Sequence, residues 1–375
     1  MKKFVNIGFF LVIISIIAFF LFRYLFKPAA DNKTMRIHSV LGADKNEGNY
    51  TKAIKPINFR FPDDAGPHPD FKSEWWYFTG NLSDDAGAEY GYHFTIFRQS
   101  ISDKKLDSSS DWRTNQVYMA HIAVTDVVND KFYSFSKMTR GSAGLAGAKI
   151  KPFRVWIENW EITGEYNHPI LKASTRDFTI DIQLNSLKPI VLNGNRGLSQ
   201  KSQGIGNASY YYSIPRFKTK GELTIKKRKI NVSGESWLDR EWSTSSLGKE
   251  EVGWDWFSIQ LEDSREVMLY KIRKKDGQAS TLSSGTYIKA GGASVHLTKS
   301  DFTLEVLDYW QSAATSIKYP SKWRIKIPKF QIDLVVTPKI NNQEHQLQFI
   351  YWEGTAKVVG DNIQGNAYVE LVGYK

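Results

Sequence analysis

The sequence predicts an all-β protein built from two tandem antiparallel barrels, and two patterns carry this prediction. From residue 74 onward, short segments rich in Val, Ile, Thr, Phe, Tyr and Trp alternate apolar and polar residues, as a strand with one buried face does. Short polar or glycine-containing links separate these segments, which favours antiparallel neighbours. Closure into barrels would remove the exposed edges at which aromatic-rich strands aggregate.

Length and composition limit the class of protein. A chain of 375 residues exceeds the size that one hydrophobic core usually serves, so two globular units are expected. The hydrophobic content of 41% excludes a mostly disordered chain. The chain contains no cysteine, which excludes disulfides, a thiol nucleophile and cysteine-ligated metal centres.

The first 27 residues predict a membrane anchor. Lys2 and Lys3 precede an apolar run at residues 4–22, whose length is close to the thickness of a bilayer. We expect an uncleaved anchor, with a cleaved signal at the poor cleavage site 28–30 as the second interpretation. The lysines favour the cytoplasmic side, so the globular part would be periplasmic or otherwise extracytoplasmic and tethered to the cytoplasmic membrane. Basic residues after the run leave an inverted anchor as a third interpretation.

An internal repeat favours two similar barrels. Residues 76–84 align with residues 255–263 at a constant offset and match an aromatic residue, a Phe, a Ser or Thr, a Leu and an Asp. Each copy runs into a turn and then into a second strand, which ends at Arg98 in one copy and Arg273 in the other. The predicted organisation is an anchor or signal segment at 1–27, a tether at 28–57, a first barrel at 58–245 and a second barrel at 246–375.

The net charge of +11 does not indicate a nucleic-acid partner. The first 36 residues carry +5 of it, so the other 339 residues hold only a mild excess. The densest basic run, at residues 226–229, lies between two alternating segments, which predicts a hairpin with a charged turn.

Six of the 12 tryptophans fall in two short windows that also contain charged residues. In the second window, strand alternation puts Trp237, Asp239 and Glu241 on one face. Arg240 and Trp242 share the opposite face. One of the two faces must line a barrel interior or a seam between the barrels.

The same alternation puts Trp254 and Trp256 opposite Asp255. A buried carboxyl group beside indoles has its charged form disfavoured, which raises its pKa and suits it to general acid catalysis. Asp239, Glu241 and Asp255 are therefore the candidate catalytic residues.

A structural interpretation of the same residues is also open. Arg240 could pair with one of the three acids, and the cluster would then fasten the two barrels together. Such pairing would lower the pKa of the acid, so the two interpretations predict opposite titration behaviour.

Other chemistries lack their motifs. His93 and His121 lie in strands, on the face opposite most of their apolar neighbours, and the sequence has no HExxH and no histidine pair at ligand spacing, so no metal is expected. It has no Gly-x-Ser-x-Gly, which excludes an α/β-hydrolase, and its glycine-rich loops lack the context of a dinucleotide site. No cofactor is predicted.

Several blocks of the sequence resemble one family. The chain from residue 58 to 375 is similar to the lipocalin-like, AttH-like proteins often described as predicted secreted hydrolases, with carotenoid 1,2-hydratases and some fungal Diels–Alder cyclases as more distant relatives. The resemblance implies two tandem lipocalin-like (calycin) barrels and lipid or lipoprotein traffic with an ABC-type permease. It rests on residues 61–69, 73–82, 91–98, 119–121, 234–243 and 253–257.

The resemblance also bears on the site. In the hydratases a histidine stands where this chain has Arg240, and a guanidinium that stays protonated cannot exchange protons, so carotenoid hydration is not expected. Lipocalin-like barrels close one end with a tryptophan under an arginine, which gives Trp76 and Arg98 a structural alternative. The candidate ligand-binding residues are Glu74, Trp76, Arg98, His121, Trp237, Arg240, Trp242, Trp254 and Trp256.

Two classes of function follow. The first is a membrane-tethered protein that holds a lipid or other hydrophobic small molecule, with aromatic side chains as contact surface and Arg98 or Arg240 at a polar head. The alternative is a hydratase, hydrolase or isomerase that acts on an apolar, isoprenoid-like substrate by acid catalysis. A structural partner of a transporter is the third interpretation.

Overall fold

The computed structural model describes residues 48–104, 110–245, 247–248 and 250–375. Its regular structure is strand throughout, apart from short 3-10 turns at Asp63–Ala65, Lys299–Asp301 and Pro328–Phe330. The predicted all-β class is confirmed. The apolar run at residues 4–22 lies outside the described residues. Within them, no helix has the length and apolarity needed to cross a membrane.

The first sheet contains 13 strands of the described chain and curls into a nearly closed barrel. Its strands are β1 (Ser73–Ser83), β2 (Glu89–Ser100), β3 (Gln116–Asp126), β4 (Lys131–Arg140), β5 (Ala146–Ile150), β6 (Phe153–Ile157), β7 (Trp160–Glu165), β8 (His168–Ser174), β9 (Phe178–Ser186), β10 (Val191–Leu192), β11 (Leu198–Gln200), β12 (Ala208–Ile225) and β13 (Arg228–Ser245). The order is β4-β3-β2-β1-β13-β12-β9-β8-β7-β6-β5, and β10 and β11 pair with β12. Contacts of β4 with β6 bring the two ends of the sheet together.

The second sheet contains ten strands of the described chain and forms a half-barrel, not the second complete barrel that the sequence predicts. Its strands are β14 (Glu251–Leu261), β15 (Glu266–Lys274), β16 (Ser284–Ile288), β17 (Ser294–Thr298), β18 (Thr303–Gln311), β19 (Lys318–Ile327), β20 (Ile332–Pro338), β21 (Glu344–Gln346), β22 (Ile350–Gly360) and β23 (Ile363–Val372). The order is β17-β16-β15-β14-β23-β22-β20-β19-β18, with β21 on β22. All strand pairs in both sheets are antiparallel, as predicted.

Alternation in the sequence becomes alternation in burial. In β9, Phe178, Ile180 and Ile182 are buried while the residues between them are partly or fully exposed. The longest hairpin, β12 to β13, turns at Lys226 and Lys227, whose φ angles of 45° and 74° suit a two-residue turn. The predicted charged hairpin tip is therefore confirmed.

Each sheet has its own apolar core, and a third cluster lies between the sheets. Aromatic and aliphatic side chains fill the first sheet, including Trp242, and another set fills the second, including Trp323. The cluster between the sheets contains Tyr77, Trp237 and Trp256. The outward faces of the two sheets are thus apolar where they meet.

The internal repeat lies at equivalent places in the two sheets, on β1 and β14. The equivalent residues Tyr77 and Trp256 meet each other across the seam, with ring centroids 5.2 Å apart and perpendicular planes. The equivalent amides each reach the opposite sheet: Asn81 hydrogen-bonds to Thr355, and Gln260 hydrogen-bonds to the carbonyl oxygen of Ser236. The seam therefore has an approximate twofold relation, in which matching positions make reciprocal contacts.

Replacing Gln260 should loosen the seam. Its amide nitrogen donates to the carbonyl oxygens of Pro215 and Ser236, at 2.8 and 3.0 Å, and Gln260→Ala would leave both without this donor. We expect a loss of about 1–3 kcal/mol in the free energy of unfolding, measured by urea denaturation. Gln278→Ala, at an exposed turn, is the control. Equal stability of the two variants would contradict the inferred role of Gln260.

Candidate active site between the two sheets

A pocket with about 970 Å³ of empty space, including its open mouth, lies at the seam between the sheets. Half of the residues that line it are Trp, Tyr or Phe, and it also contains carboxyl groups, a lysine and a histidine. The lining residues are Trp75, Tyr77, Thr95, Phe97, His121, Lys201, Tyr211, Asp239, Glu241, Leu247, Trp254, Trp256, Tyr270, Ile272, Phe349, Tyr351, Glu353 and Glu370.

Strand alternation delivers the catalytic candidates on β13 to this pocket. Asp239 and Glu241 line it, while Arg240 and Trp242 point to the interior of the first sheet. On β14, Trp254 and Trp256 likewise line the pocket. The predicted division of faces is confirmed, and the face in question borders the seam rather than a barrel interior.

Asp239 is held by three neutral donors. Its Oδ1 accepts hydrogen bonds from the Ser213 hydroxyl and the Trp237 indole, both at 2.6 Å. Its Oδ2 accepts one from the Tyr211 hydroxyl, which in turn accepts one from the Trp256 indole at 3.2 Å. These contacts tie the carboxyl group to aromatic residues of both sheets.

Burial raises the pKa of Asp239 to about 6, although the hydrogen bonds from Ser213, Tyr211 and Trp237 act in the opposite direction. The nearby Glu241 adds to the upward shift. Asp239 therefore exchanges its proton close to neutral pH, as a general acid does.

A lysine and a second carboxylate stand beside Asp239. Lys201 Nζ lies 3.3 Å from Glu241 Oε1 and 4.1 Å from the ring centroid of Tyr270. Burial alone would lower the pKa of Lys201, but attraction to Glu241 and Tyr270 raises it. Lys201 thus remains charged and forms an ion pair with Glu241.

Two further carboxyl groups approach the pocket from β22 and β23. Glu370 accepts a hydrogen bond from the Trp254 indole at 2.9 Å, and burial raises its pKa to about 7. Glu353 accepts a hydrogen bond from the Tyr77 hydroxyl at 2.6 Å. Burial, reinforced by Glu370, raises the pKa of Glu353 well above its usual range.

His121 is the only histidine among the pocket-lining residues. Its Nδ1 lies 2.8 Å from the Tyr351 hydroxyl. Burial lowers the pKa of His121 to about 3, so the imidazole is neutral at physiological pH. His121, a ligand-binding candidate from the sequence, therefore lies in the pocket as a neutral group that can donate or accept a hydrogen bond.

Comparison with known proteins assigns the family. A family model described as AttH-like matches residues 52–374. The chain belongs to the AttH-like family. The resemblance seen in the sequence is therefore confirmed.

The chain is similar to one solved AttH structure and to two curated fungal proteins. The crystal structure of an AttH from Nitrosomonas europaea has 30% identity and a TM-score of 0.78, and covers 87% of this chain and 100% of its own. Among curated proteins, dehydratase asqC of Emericella nidulans is 21% identical, over 46% of this chain and 50% of its own. Kievitone hydratase of Fusarium solani subsp. phaseoli is 23% identical, over 53% of this chain and 58% of its own. The chain thus spans about half the length of the curated relatives it matches.

Other predicted ligand-binding residues of the AttH-like chain form a buried ionic cluster away from the pocket lining. Glu74 makes ion pairs with both Arg98 and Arg240, and the Arg240 guanidinium lies over the ring of Trp76 at 4.0 Å. Trp242 packs at the same place, inside the first sheet. The interpretation that Arg240 pairs with one of the three candidate catalytic acids is therefore wrong, because its carboxylate partner is Glu74.

Asp255 belongs to a corresponding cluster in the second sheet. Its Oδ1 accepts hydrogen bonds from Arg273 at 3.0 Å and from the Tyr374 hydroxyl at 2.8 Å. It is not among the residues that line the pocket. Of the three candidate acids, the structure therefore brings only Asp239 and Glu241 to the pocket.

The sequence interpretation missed several residues of the pocket. One of them is Tyr211, the middle residue of three consecutive tyrosines in β12, whose hydroxyl donates to Asp239. A signal was available for Glu353 and Glu370, because each is the single carboxylate of its strand and has apolar residues on at least one side. Lys201 follows β11 in a loop that carries no such pattern.

Glu74 should be the most costly carboxylate to neutralise. Burial would raise its pKa, but Arg240 and then Arg98 hold it well below its usual range. Glu74→Gln leaves both guanidiniums without a countercharge, so we expect a loss of about 3–5 kcal/mol in the free energy of unfolding by urea. Because the folded pKa is lowered, this contribution is present at neutral pH and is lost as the pH falls below about 4.3.

Asp333→Asn is the matched control, since Asp333 pairs with Arg324 at an exposed site on the second sheet. It should change stability little, because water screens the pair. A Glu74→Gln protein as stable as Asp333→Asn at neutral pH would contradict the role assigned to the cluster.

Proposed function

We propose that this AttH-like protein is a hydratase or dehydratase that adds water to, or removes it from, an apolar unsaturated substrate in the pocket. The names of its curated relatives, a hydratase and a dehydratase, support the class of reaction. The aromatic lining supports an apolar substrate of isoprenoid-like character. The single observation that carries the proposal is Asp239, a carboxyl group of raised pKa inside an aromatic pocket.

The arrangement suits acid catalysis by one residue. In hydration, protonated Asp239 gives its proton to one carbon of the double bond, and positive charge develops on the other carbon. Nearby indole and phenol faces, among them Trp256 and Tyr211, stabilise that charge by cation–π attraction. Water attacks the cationic carbon and gives a proton back to the Asp239 carboxylate, so the enzyme is regenerated. Dehydration follows the same steps in reverse.

The hydrogen bonds of Asp239 are compatible with both protonation states. The hydroxyls of Ser213 and Tyr211 can rotate, whereas the Trp237 indole remains a fixed donor to Oδ1. The substitution by arginine at position 240 does not weaken this proposal, because Arg240 faces Glu74 inside the first sheet. The proposal assigns proton transfer to Asp239, the neighbouring residue, whose side chain lies on the other face of β13.

Asp239→Asn should abolish turnover without disturbing the fold. An amide of the same shape keeps one acceptor oxygen but has no acidic proton, so we expect a loss of about 100-fold or more in kcat/KM. The assay incubates apolar trisubstituted alkenes and their tertiary alcohols with full-length protein in heavy-oxygen water, and mass spectrometry measures oxygen incorporation. Asp126→Asn, a buried position that serves the turn after β3, is the control.

The pH profile gives an independent readout of the same residue. The acidic form of Asp239 predominates below about pH 6, so kcat/KM for hydration should fall about tenfold per pH unit above it. The titratable groups that face Asp239 are Tyr211, Glu241, Lys201 and Glu370. An Asp239→Asn enzyme with unchanged turnover, or a rate that rises above pH 6, would contradict the proposal.

Carriage of a lipid-like molecule is the second function that we propose for testing. The apolar lining of the pocket supports it, and carriage requires no proton transfer. In this case the segment at residues 4–22 would tether the protein to a membrane, with the sheets on the extracytoplasmic side. An ABC-type permease would then be the partner that supplies or receives the ligand.

Removal of an aromatic side chain from the pocket should release such a ligand. Trp254→Ala removes an indole from the lining, and we expect about tenfold less apolar material to copurify with the full-length protein. Mass spectrometry of solvent extracts measures the amount, and Trp112→Ala, at an exposed position, is the control. If wild type and Trp254→Ala retain equal amounts, or wild type retains none, carriage in this pocket is contradicted.

A further inference from the structure

Three side chains from both sheets converge behind the pocket. His93 lies on β2, His345 on β21 and Glu353 on β22, and all three are buried. One ring nitrogen of each histidine and one carboxylate oxygen lie within 4.8 Å of one another. The His93 and His345 rings are 4.7 Å apart between centroids, at an angle of 45°.

The two histidines lack hydrogen-bond partners. Within the described residues, none of the four ring nitrogens of His93 and His345 makes a hydrogen bond, although both side chains are fully buried. A carboxylate oxygen, Glu353 Oε2, lies 3.3 Å from His93 Nδ1. An unsatisfied buried polar group costs about 1–3 kcal/mol, so an arrangement that leaves four of them needs a physical reason.

Ring packing alone does not supply that reason. His345 stacks on Tyr351 at 4.4 Å and meets Phe132 edge-on at 4.9 Å. A phenylalanine at position 345 would provide the same contacts without burying two polar nitrogens. The nitrogens therefore point to a ligand that accepts electron pairs.

We propose that His93, His345 and Glu353 bind a divalent transition-metal ion, with Zn²⁺ as the first candidate. Imidazole nitrogens and a carboxylate oxygen form a donor set that zinc takes in proteins, with a fourth position left for water or substrate. Binding requires the Glu353 carboxyl group to lose its proton, and the resulting carboxylate offsets part of the charge of the ion.

Binding requires only a small adjustment of the side chains. Tetrahedral ligands at about 2.1 Å from zinc lie about 3.4 Å from one another, so the donor atoms, now within 4.8 Å, would draw together by at most about 1.4 Å. The Tyr77 hydroxyl already donates to the other oxygen of Glu353 and would orient the carboxylate. The ion thus has a polar support outside its three ligands.

The site adjoins the pocket through one residue. Glu353 lines the pocket, whereas His93 and His345 lie behind it. The pocket therefore offers the entry path for the ion, and the open coordination position would face the pocket. The metal site does not depend on the proposed hydration, because neither its ligands nor its test involves Asp239.

Metal analysis of the full-length protein tests this inference. We expect about one equivalent of Zn²⁺ per chain by elemental mass spectrometry after purification without an affinity tag. After chelation, titration with Co²⁺ should restore one equivalent and give the visible absorption bands of a low-coordinate cobalt site. The readout does not require activity.

Two variants and a control make the test specific. His345→Phe keeps the ring packing, and Glu353→Gln keeps the shape of the side chain. Each should weaken metal binding by roughly 100-fold or more. Loss of a residue that only supports a ligand can already cost that much. His296→Phe, at an exposed position on β17, should bind as wild type does. Absence of stoichiometric Zn²⁺ or Co²⁺ binding by folded wild type, or equal binding by the His345→Phe variant, would overturn the inference.

Discussion

The cost of burying a carboxyl group between apolar sheets is the constraint on which the rest of this structure depends. The chain meets that cost in two ways on adjacent strands. Glu74 is offset by two guanidiniums and stays ionised. Asp239 has only neutral donors, so burial dominates and its pKa rises. The first solution stabilises a barrel, and the second leaves a group able to exchange a proton.

Strand geometry separates these two environments by a single residue. Arg240 and Asp239 are neighbours on β13, yet one completes the ionic cluster and the other faces the pocket. A slip of one residue in the pairing of β13 would exchange the two side chains. The Arg240 guanidinium would then lie in the pocket, and the Asp239 carboxylate would lie beside Glu74. The register with β1, in which Trp76 lies opposite Arg240, is therefore a requirement of the site as well as of the fold.

The approximate repeat explains why the pocket lies at the seam. Equivalent residues Tyr77 and Trp256 face each other, and the equivalent amides Asn81 and Gln260 each bond to the opposite sheet. Such reciprocal contacts are typical of self-complementary surfaces. Each sheet fills its own interior with side chains, and the two outer faces leave a gap between them that can hold a ligand.

The sequence predicted the strands and the faces well, because both follow from an alternation of period two that local residues carry. It placed Asp239, Glu241, Trp254 and Trp256 on the right faces for that reason. It could not place Lys201, or bring His345 to His93, because those contacts join segments far apart in the chain and depend on how the sheets meet. The choice of Asp255 shows the same limit. Nothing in the local sequence reveals that Asp239 faces the pocket whereas Asp255 faces an ionic cluster of the second sheet.

The central claim is that the seam desolvates Asp239 while the nearest cation, Lys201, forms its ion pair with Glu241. Carboxyl-carbon NMR titration of the wild-type protein, with Asp239→Asn used to assign the signal, measures this directly. The account predicts a midpoint near pH 6 for Asp239. A midpoint at or below the ordinary aspartate value of about 3.9 would contradict it.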